Sequence, residues 1–161
     1  MVLGNIFLNY LHFLTVTNVI DGDSITVKAL DNKEFEVRLY GIDCPEDKVC
    51  HKLKRDEKET QLAGGFLIFL GKQSTAFVRK LLPIGTIISI AQELKNTTDI
   101  YNRELAYVIL PDAKILNEEL IKAGFAKPMS EYYCEELNHY QTLNFIAKKE
   151  KKGLYKFGRT F

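Results

Sequence analysis

The chain has 161 residues, of which 46% are hydrophobic, and its 22 basic and 21 acidic side chains give a net charge of +1. That length favours a single domain spanning residues 1–161, with enough apolar side chains for an ordinary core. The near-neutral balance excludes any argument for nucleic-acid binding from overall charge. A basic binding surface would have to be local.

The first 14 residues, "MVLGNIFLNYLHFL", are apolar but are interrupted by Asn5, Asn9 and His12. They have no basic start, and no small-residue cleavage site follows, so we do not expect a complete signal peptide. The run is too short and too polar to span a membrane. We expect either an arm packed on the domain or the remnant of a trimmed export signal.

Alternating polar and apolar residues predict three strands near the start of the domain. "LTVTNVIDGDSITVKAL" indicates strand, turn and strand, with the turn at "DGD". "DNKEFEVRLYGI" indicates a turn at Asp31 and Asn32 and then a third strand. Such tight connections are typical of an antiparallel meander.

The middle of the chain is polar at first and then predicts a helix. We interpret "DKVCHKLKRDEKETQL", residues 47–62, as a surface loop with room for helical turns. Apolar residues near helical spacing predict a helix from about Lys72 to Leu82, which Pro83 and Gly85 end. Between them, "GGFLIFLG" fits either a buried helical turn or a short strand.

Two more strands and two helices complete the pattern. "GTIISIAQEL" and "RELAYVIL" predict the fourth and fifth strands. "PDAKILNEELIKAGFA" predicts a hairpin tip and a short helix that ends at Gly124, and "CEELNHYQTLNFIAKKEKKG" predicts a longer helix that Gly153 ends. The apolar face of that longer helix would contain Leu137, Tyr140, Leu143, Ile146 and Ala147.

Five strands with a helix after the third are typical of the oligonucleotide/oligosaccharide-binding fold, or OB-fold. The predicted fold class is therefore α+β, a five-stranded OB-fold β-barrel with about three α-helices. That fold also serves oligosaccharide-binding and protein-binding domains, so it does not decide function.

The three cysteines are Cys44, Cys50 and Cys134, and an odd number cannot all pair within one chain. The spacing permits a Cys44–Cys50 bridge, but free thiols are the simpler interpretation. A zinc site at Cys50 and His51 lacks properly spaced partners.

Three acids stand where strands end. Asp21 and Asp23 flank the first turn, and Asp43 follows the third strand. In a meander these places can meet at one end of the sheet, and clustered carboxylates usually gather around a cation. Oxygen ligands favour Ca²⁺ or Mg²⁺ over zinc. Alternatively, "DGD" is only a turn, since Asp and Gly are ordinary turn residues.

Two arginines are candidates for phosphate binding. Arg38 lies in the third strand, and Arg103 follows the polar turn "TTDIYN". A guanidinium makes planar, bidentate contacts with phosphate and keeps its charge. Each arginine alone is more typical of a surface ion pair.

In this order and approximate spacing, three segments resemble the signature segments of the staphylococcal nuclease (thermonuclease) family. They are "VIDGDSITV", "VRLYGIDCPE" and "DIYNRELAYV", and "NEELIKAGFAK" and "AKKEKKGLY" are similar to later helices of the family. The resemblance runs from about Thr15 to Tyr155, with an insertion at about 47–73. It implies an SNase-like OB-fold with Ca²⁺-dependent hydrolysis of DNA and RNA, single strands favoured, at low sequence specificity.

The resemblance also implies a metal site. Asp23 and Asp43 would be carboxylate ligands of Ca²⁺, and the main-chain carbonyl of Cys44 would be the third ligand. Asp21 would reach the metal through water. Mg²⁺ or Mn²⁺ also suits carboxylates.

The remaining implied roles concern the phosphate, the water and the nucleotide. Arg38 and Arg103 would bind the scissile phosphate, and Glu46 would orient or deprotonate the attacking water. The nucleotide pocket would contain Tyr101 and Tyr132, with Tyr133 a competitor for the second position. Family habit implies an extracellular or periplasmic location, and no protein partner is inferred. The alternative function is a catalytically weak SNase-like module that only binds nucleic acid.

The sequence departs from the family pattern in several places. Cys44 stands where Thr or Ala is common, Ile100 where the best-known members have lysine, and Asn102 where they have glycine. Asn tolerates left-handed backbone geometry, so the turn can survive. The basic side chains of the insertion predict either a flap over the substrate or a solvated loop; they are Lys48, His51, Lys52, Lys54, Arg55 and Lys58.

Overall fold

The structure, a computed structural model, describes residues 7–161. Its strands are β1 Leu8–Val19, β2 Ser24–Lys28, β3 Glu34–Leu39, β4 Ile42–Asp43, β5 Ile87–Glu93, β6 Glu104–Ile109 and β7 Lys127–Pro128. Its helices are α1 His51–Thr60, α2 Gly64–Leu81, α3 Leu116–Lys122 and α4 Leu137–Lys149. Short 3₁₀ turns cover Ser130–Tyr132 and Gly153–Lys156.

Within the described residues, five strands close a barrel, as predicted, and their order is β1-β2-β3-β6-β5. The first three form the expected antiparallel meander. The barrel closes where β3 and β6 pair in parallel, from Val37 opposite Glu104 to Leu39 opposite Ala106. This pairing places the end of the third strand beside the start of the sixth.

Strand β1 pairs with two neighbouring strands, β2 and β5, because it is long and bent. Its first half pairs with β5 and its second half with β2, with register shifts between Leu11 and Leu14 and between Val16 and Asn18. Such bulges bend a strand and increase its twist. Of the 14 N-terminal residues taken as an arm or a signal remnant, the first six lie outside the described residues. Residues 8–14 are part of β1.

The core fills the barrel with apolar side chains from alternate strand positions and from the helices. Buried Asn117 fastens α3 to the barrel by three hydrogen bonds. Its amide nitrogen donates to the carbonyls of Tyr40 and Ala106, and its oxygen accepts from the Val108 N–H. Each polar atom of this buried amide is therefore satisfied, which fixes α3 against β6.

The segment interpreted as a surface loop forms a helix instead. Residues 51–60 make up α1, so the described chain has four α-helices rather than about three. Hydrophobic periodicity does not predict this helix, because its buried residues are only Leu53 and Asp56. The ambiguous "GGFLIFLG" begins α2, a single helix of 18 residues that ends before Pro83, as predicted.

The last helices follow the predicted pattern with two corrections. Leu137, Tyr140 and Ala147 of α4 are buried, but Ile146 on the predicted apolar face is 41% exposed. Helix α4 ends at Lys149 rather than near Gly153, because Lys151 takes a left-handed φ of 51°. Among the described residues, no helix combines the length and the apolar character needed to cross a membrane.

Candidate active site

One end of the barrel opens into a polar cleft of about 430 Å³. Its lining consists of Asp21, Asp23, Arg38, Asp43, Glu46, His51, Lys52, Arg55, Tyr101, Arg103, Glu131 and Tyr132. All the acids, both arginines and two of the three tyrosines singled out from the sequence therefore share one cavity. Their roles stay predictions, but their convergence is a property of the fold.

The two acidic segments meet because Gly22 has no side chain. A Cβ at Gly22 would lie 2.7 Å from the sulphur of Cys44 and 2.9 Å from the Cβ of Ser74. The turn between β1 and β2 can therefore pack directly on the end of β4. The contact is fixed by the Cys44 N–H, which donates to Oδ2 of Asp23 at 2.8 Å.

Arg38 lies between the carboxylates rather than on the surface. Arg38 is 2% exposed. Its Nε lies 3.2 Å from Oδ1 of Asp23, and its Nη2 lies 3.2 Å from Oδ1 of Asp43. Its guanidinium carbon stacks 3.9 Å from the centre of the Tyr132 ring. Burial opposes the charge, but Asp23 and Asp43 outweigh it and raise the pKa of Arg38 above its ordinary value. The guanidinium is thus a fixed cation at the wall of the cleft.

The carboxylates of the cleft are crowded, which shows in their pKa values. Burial and the charge of Asp23 raise the pKa of Asp21 to about 8 and the pKa of Asp43 to about 6. Burial would also raise the pKa of Asp23, but Arg38 and Lys52 outweigh it and lower that pKa. A further cation among these groups would favour their ionised forms.

This donor set fits a hard divalent cation. Oδ1 of Asp43 and the Cys44 carbonyl oxygen both lie 3.1 Å from Nζ of Lys52, and Asp21 and Asp23 line the same cleft. Within residues 7–161, no three His, Cys, Asp or Glu side chains are grouped closely enough to hold a metal by themselves. Water and substrate oxygens would therefore have to complete the shell, as is usual for Mg²⁺ and common for Ca²⁺.

Arg103 is held by Asp99, a residue that the sequence argument missed. Oδ2 of Asp99 lies 2.8 Å from Nε and 2.7 Å from Nη2 of Arg103. Oδ1 of Asp99 accepts the main-chain N–H groups of Tyr101 and Arg103. Asn102 has a φ of 61°, as expected for a residue that replaces glycine in this turn. The Asx-turn pattern of an aspartate two residues before the tyrosine was the available signal.

The tyrosines differ in their relation to the cleft. The Tyr132 hydroxyl accepts from Nη2 of Arg103 at 3.1 Å while its ring covers Arg38. The Tyr101 ring is 70% exposed at the rim. Tyr133 does not line the cleft and is 51% exposed; its carbonyl accepts from the side chain of Asn96. Of these two tyrosines, Tyr132 lines the cleft and Tyr133 does not, and the role of Tyr132 in a nucleotide pocket stays a prediction.

Glu46 and Lys52 form an ion pair in the cleft. Nζ of Lys52 lies 3.0 Å from Oε1 of Glu46, and helix α2 supports the main chain of Glu46 from behind. Sequence reasoning placed Lys52 only among the basic side chains of the insertion. No sequence signal distinguishes it from its neighbours, because its position depends on the docking of α1.

The cysteines are free thiols, as the simpler interpretation held. Burial raises the pKa of Cys44 far above its ordinary value and the pKa of Cys134 to about 12. The Cys44 thiol donates to the carbonyl of Phe125 at 3.3 Å, away from the acids. Its side chain is therefore a packing group, and only its carbonyl is available to the cleft.

Comparison with known proteins agrees with the geometry. The family model described as staphylococcal nuclease homologue matches residues 36–156. The chain is 30% identical over 148 residues to the endonuclease YhcR of Bacillus subtilis, covering 87% of this chain but 11% of that protein. It is 26% identical over 141 residues to an uncharacterized endonuclease of Escherichia coli O157:H7, covering 87% of this chain and 74% of that protein.

A third relative is an uncharacterized lipoprotein of Mycoplasma genitalium, 25% identical over 144 residues, or 83% of this chain and 53% of that protein. The chain thus spans about a tenth and about half of the lengths of YhcR and the lipoprotein. The family match begins within β3 and covers the rest of that strand, β5, β6 and all four described α-helices. This chain belongs to the family of staphylococcal nuclease homologues.

Proposed function

We propose that the chain is a calcium-dependent nuclease that hydrolyses phosphodiester bonds of DNA and RNA with low sequence specificity. The observation that carries the proposal is the convergence of Arg38, Arg103, Glu46 and the aspartates in one cleft. Such a cleft combines cations for a phosphate with acids for a metal ion and a water molecule. The endonuclease names of two relatives support the same reaction class.

The two arginines would bind the scissile phosphate from different sides. Arg38 is buried and rigid, whereas Arg103 is partly exposed and held by Asp99. Tyr132 contacts both guanidinium groups, since its ring stacks on Arg38 and its hydroxyl accepts from Arg103. Preorganised cations stabilise the charge that develops on a pentacoordinate phosphorus, without reorganisation during the reaction.

Asp23, Asp43 and the Cys44 carbonyl would hold the calcium ion, with Asp21 acting through water. When bound, this ion supplies charge neutralisation next to the phosphate. Mg²⁺ or Mn²⁺ are alternatives with similar donor preferences. Glu46 would take a proton from the attacking water, because its carboxylate faces the same cleft.

The exposed ring of Tyr101 offers a platform on which an unpaired base can stack. Stacking tolerates every base, which agrees with low sequence specificity and favours single-stranded DNA or RNA. We also propose that the protein acts outside the cytoplasm. The family resemblance implies this, and the lipoprotein name of one relative supports it.

The direct test is digestion of a single-stranded oligonucleotide by the purified chain with Ca²⁺, with Mg²⁺ and with chelator. We expect cleavage with Ca²⁺, none with chelator, and strong loss of cleavage in Asp43→Asn. Full cleavage in chelator would contradict calcium dependence. Binding of the oligonucleotide without cleavage under every metal would establish the alternative, a binding module.

A further inference from the structure

The ammonium group of Lys52 lies inside the acidic cluster of the cleft. Its Nζ is 3.1 Å from Oδ1 of Asp43, 3.1 Å from the Cys44 carbonyl oxygen and 3.0 Å from Oε1 of Glu46. It is also 3.5 Å from Oδ2 of Asp56, four residues further along the same helix. One side chain of the insertion therefore contacts four oxygen atoms.

Two of those oxygens belong to groups to which the proposed function assigns a metal ion, the Asp43 carboxylate and the Cys44 carbonyl. A calcium ion on Asp43 and the Cys44 carbonyl would lie about 2.3–2.6 Å from each. The ammonium already bonds both atoms at hydrogen-bond distance. Two cations that share one carboxylate and one carbonyl repel each other strongly in a partly buried site. Occupation by both is therefore disfavoured.

We propose that Lys52 is an internal cation that competes with the divalent cation, so that the ammonium must leave Asp43 and Cys44 before the metal binds. This inference rests on the proposed function. The same movement releases Glu46 from its ion pair, and an unpaired carboxylate is the better base. Lys52 thereby couples metal binding to the readiness of Glu46.

Asp56 gives the displaced ammonium a partner on its own helix. It is buried on the α1 face beside Lys52, and the two residues have the spacing of a helical ion pair. A rotation of the Lys52 side chain therefore moves the ammonium from Asp43 and Glu46 towards Asp56, so that it keeps a carboxylate partner. The 47–73 insertion thus acts through α1 to set the metal affinity of the site.

The test is calcium binding measured by titration calorimetry, without substrate, on the wild type and on Lys52→Met. We expect Lys52→Met to bind Ca²⁺ at least about tenfold more tightly, since a unit charge near the site is removed. It should also melt at a lower temperature in chelator and show a larger rise in melting temperature with Ca²⁺. The matched control is Lys54→Met, an exposed lysine of the same helix, which should leave the dissociation constant unchanged.

Asp56→Asn tests the alternative position of the ammonium and keeps Lys52 in place. We expect it to weaken calcium binding, because Lys52 loses its second partner. In the Lys52→Met background the same substitution should have a much smaller effect, and this difference measures the coupling of the two residues. Equal effects of Asp56→Asn in both backgrounds would show that Asp56 acts only through its own charge.

Unchanged or weaker calcium binding in Lys52→Met would overturn the inference while leaving a calcium-dependent wild type as proposed. Cleavage in chelator that disappears in Lys52→Met would overturn it as well, because Lys52 would then replace the metal. Tighter calcium binding in Lys52→Met, together with a wild type that does not cleave, would support the inference and refute the proposed function.

Discussion

The carboxylate of Asp99 holds Arg103 with both of its oxygens. One oxygen binds the guanidinium at 2.7 and 2.8 Å, and the other accepts the N–H of the same residue at 3.0 Å. The arginine is therefore fixed at its main chain and at its tip by one neighbour. This arrangement leaves Nη1 and part of Nη2 to face Ser24, Tyr132 and the cleft.

Asp99→Asn should lower nuclease turnover by about 100-fold, because a small misplacement of a phosphate-binding group is costly. The barrel should remain folded, since Asp99 lies in a turn. Turnover with Ca²⁺ and a circular dichroism spectrum are the measurements. Asp112→Asn is the control, because that aspartate makes the same kind of turn contact to Lys114 away from the cleft. Equal turnover in Asp99→Asn and Asp112→Asn would show that Asp99 does not position Arg103 for the reaction.

Asp99 should also contribute stability that disappears in acid. Burial would raise its pKa, but the hydrogen bonds from Arg103 outweigh burial and lower the pKa below its ordinary value. A folded-state pKa below the unfolded one gives stability above about pH 4, which is lost as the pH falls through the folded pKa. The difference in free energy of unfolding between the wild type and Asp99→Asn should therefore shrink from about pH 6 to about pH 3. Urea denaturation across that range measures it, and a constant difference would contradict the assignment.

Arg38 and Arg103 should differ in what their removal does to the fold. Both Arg38→Met and Arg103→Met should lower turnover by about 1,000-fold or more. Arg38→Met should in addition cost about 3–5 kcal/mol of unfolding free energy, because it leaves Asp23 and Asp43 buried without their guanidinium. Arg103 is partly exposed, so its removal should cost only about 1 kcal/mol. Urea denaturation separates the two, and equal losses of stability would show that the burial of Arg38 is unimportant.

Glu46→Gln should slow hydrolysis by about 100-fold or more. It should weaken calcium binding less than Asp43→Asn does, because Glu46 is a partner of Lys52 but is not an assigned metal ligand. Glu131→Gln is the matched control, since Glu131 lines the same cleft but is exposed and pairs with Arg55. Turnover and calorimetric calcium binding are both required. A loss of calcium affinity in Glu46→Gln as large as that in Asp43→Asn would make Glu46 a metal ligand instead of a base.

Gly71→Ala should damage both stability and turnover. A Cβ at Gly71 would lie 2.3 Å from the carbonyl oxygen of Glu46, so either α2 or the main chain at Glu46 must move. Overpacking of this kind costs about 1–3 kcal/mol. Gly65→Ala in the same helix meets nothing within 4 Å and should stabilise the protein slightly. If both variants behave alike, the contact between α2 and Glu46 does not constrain the site.

The barrel could be predicted because its strands follow local rules. Period-two alternation marks β2 and β3, and turn residues mark the connections between them. The short-range pattern also placed Asp43 and Glu46 after β3. Helix α1 could not be predicted in the same way, because its buried face contains Leu53 and Asp56 and no apolar stripe.

The parts of the candidate site that resemble a known family could be predicted from the sequence. The positions of Asp99 and Lys52 could not be predicted. Asp99 is an ordinary turn residue in the sequence, and only the geometry shows that it holds Arg103. Lys52 is one of several lysines in the insertion, and its place in the cleft depends on how α1 packs. The roles of Arg38, Glu46 and Arg103 remain predictions that the variants above test.

The parallel pairing of β3 with β6 has a consequence for the newly synthesised chain. Arg38 and Arg103 lie on opposite sides of that pairing, and two helices and two strands separate them along the sequence. The proposed phosphate clamp therefore does not exist until β6 has been made and has closed the barrel. A nascent or unfolded chain therefore lacks both arginines in their final positions, and the proposed activity would require the closed barrel.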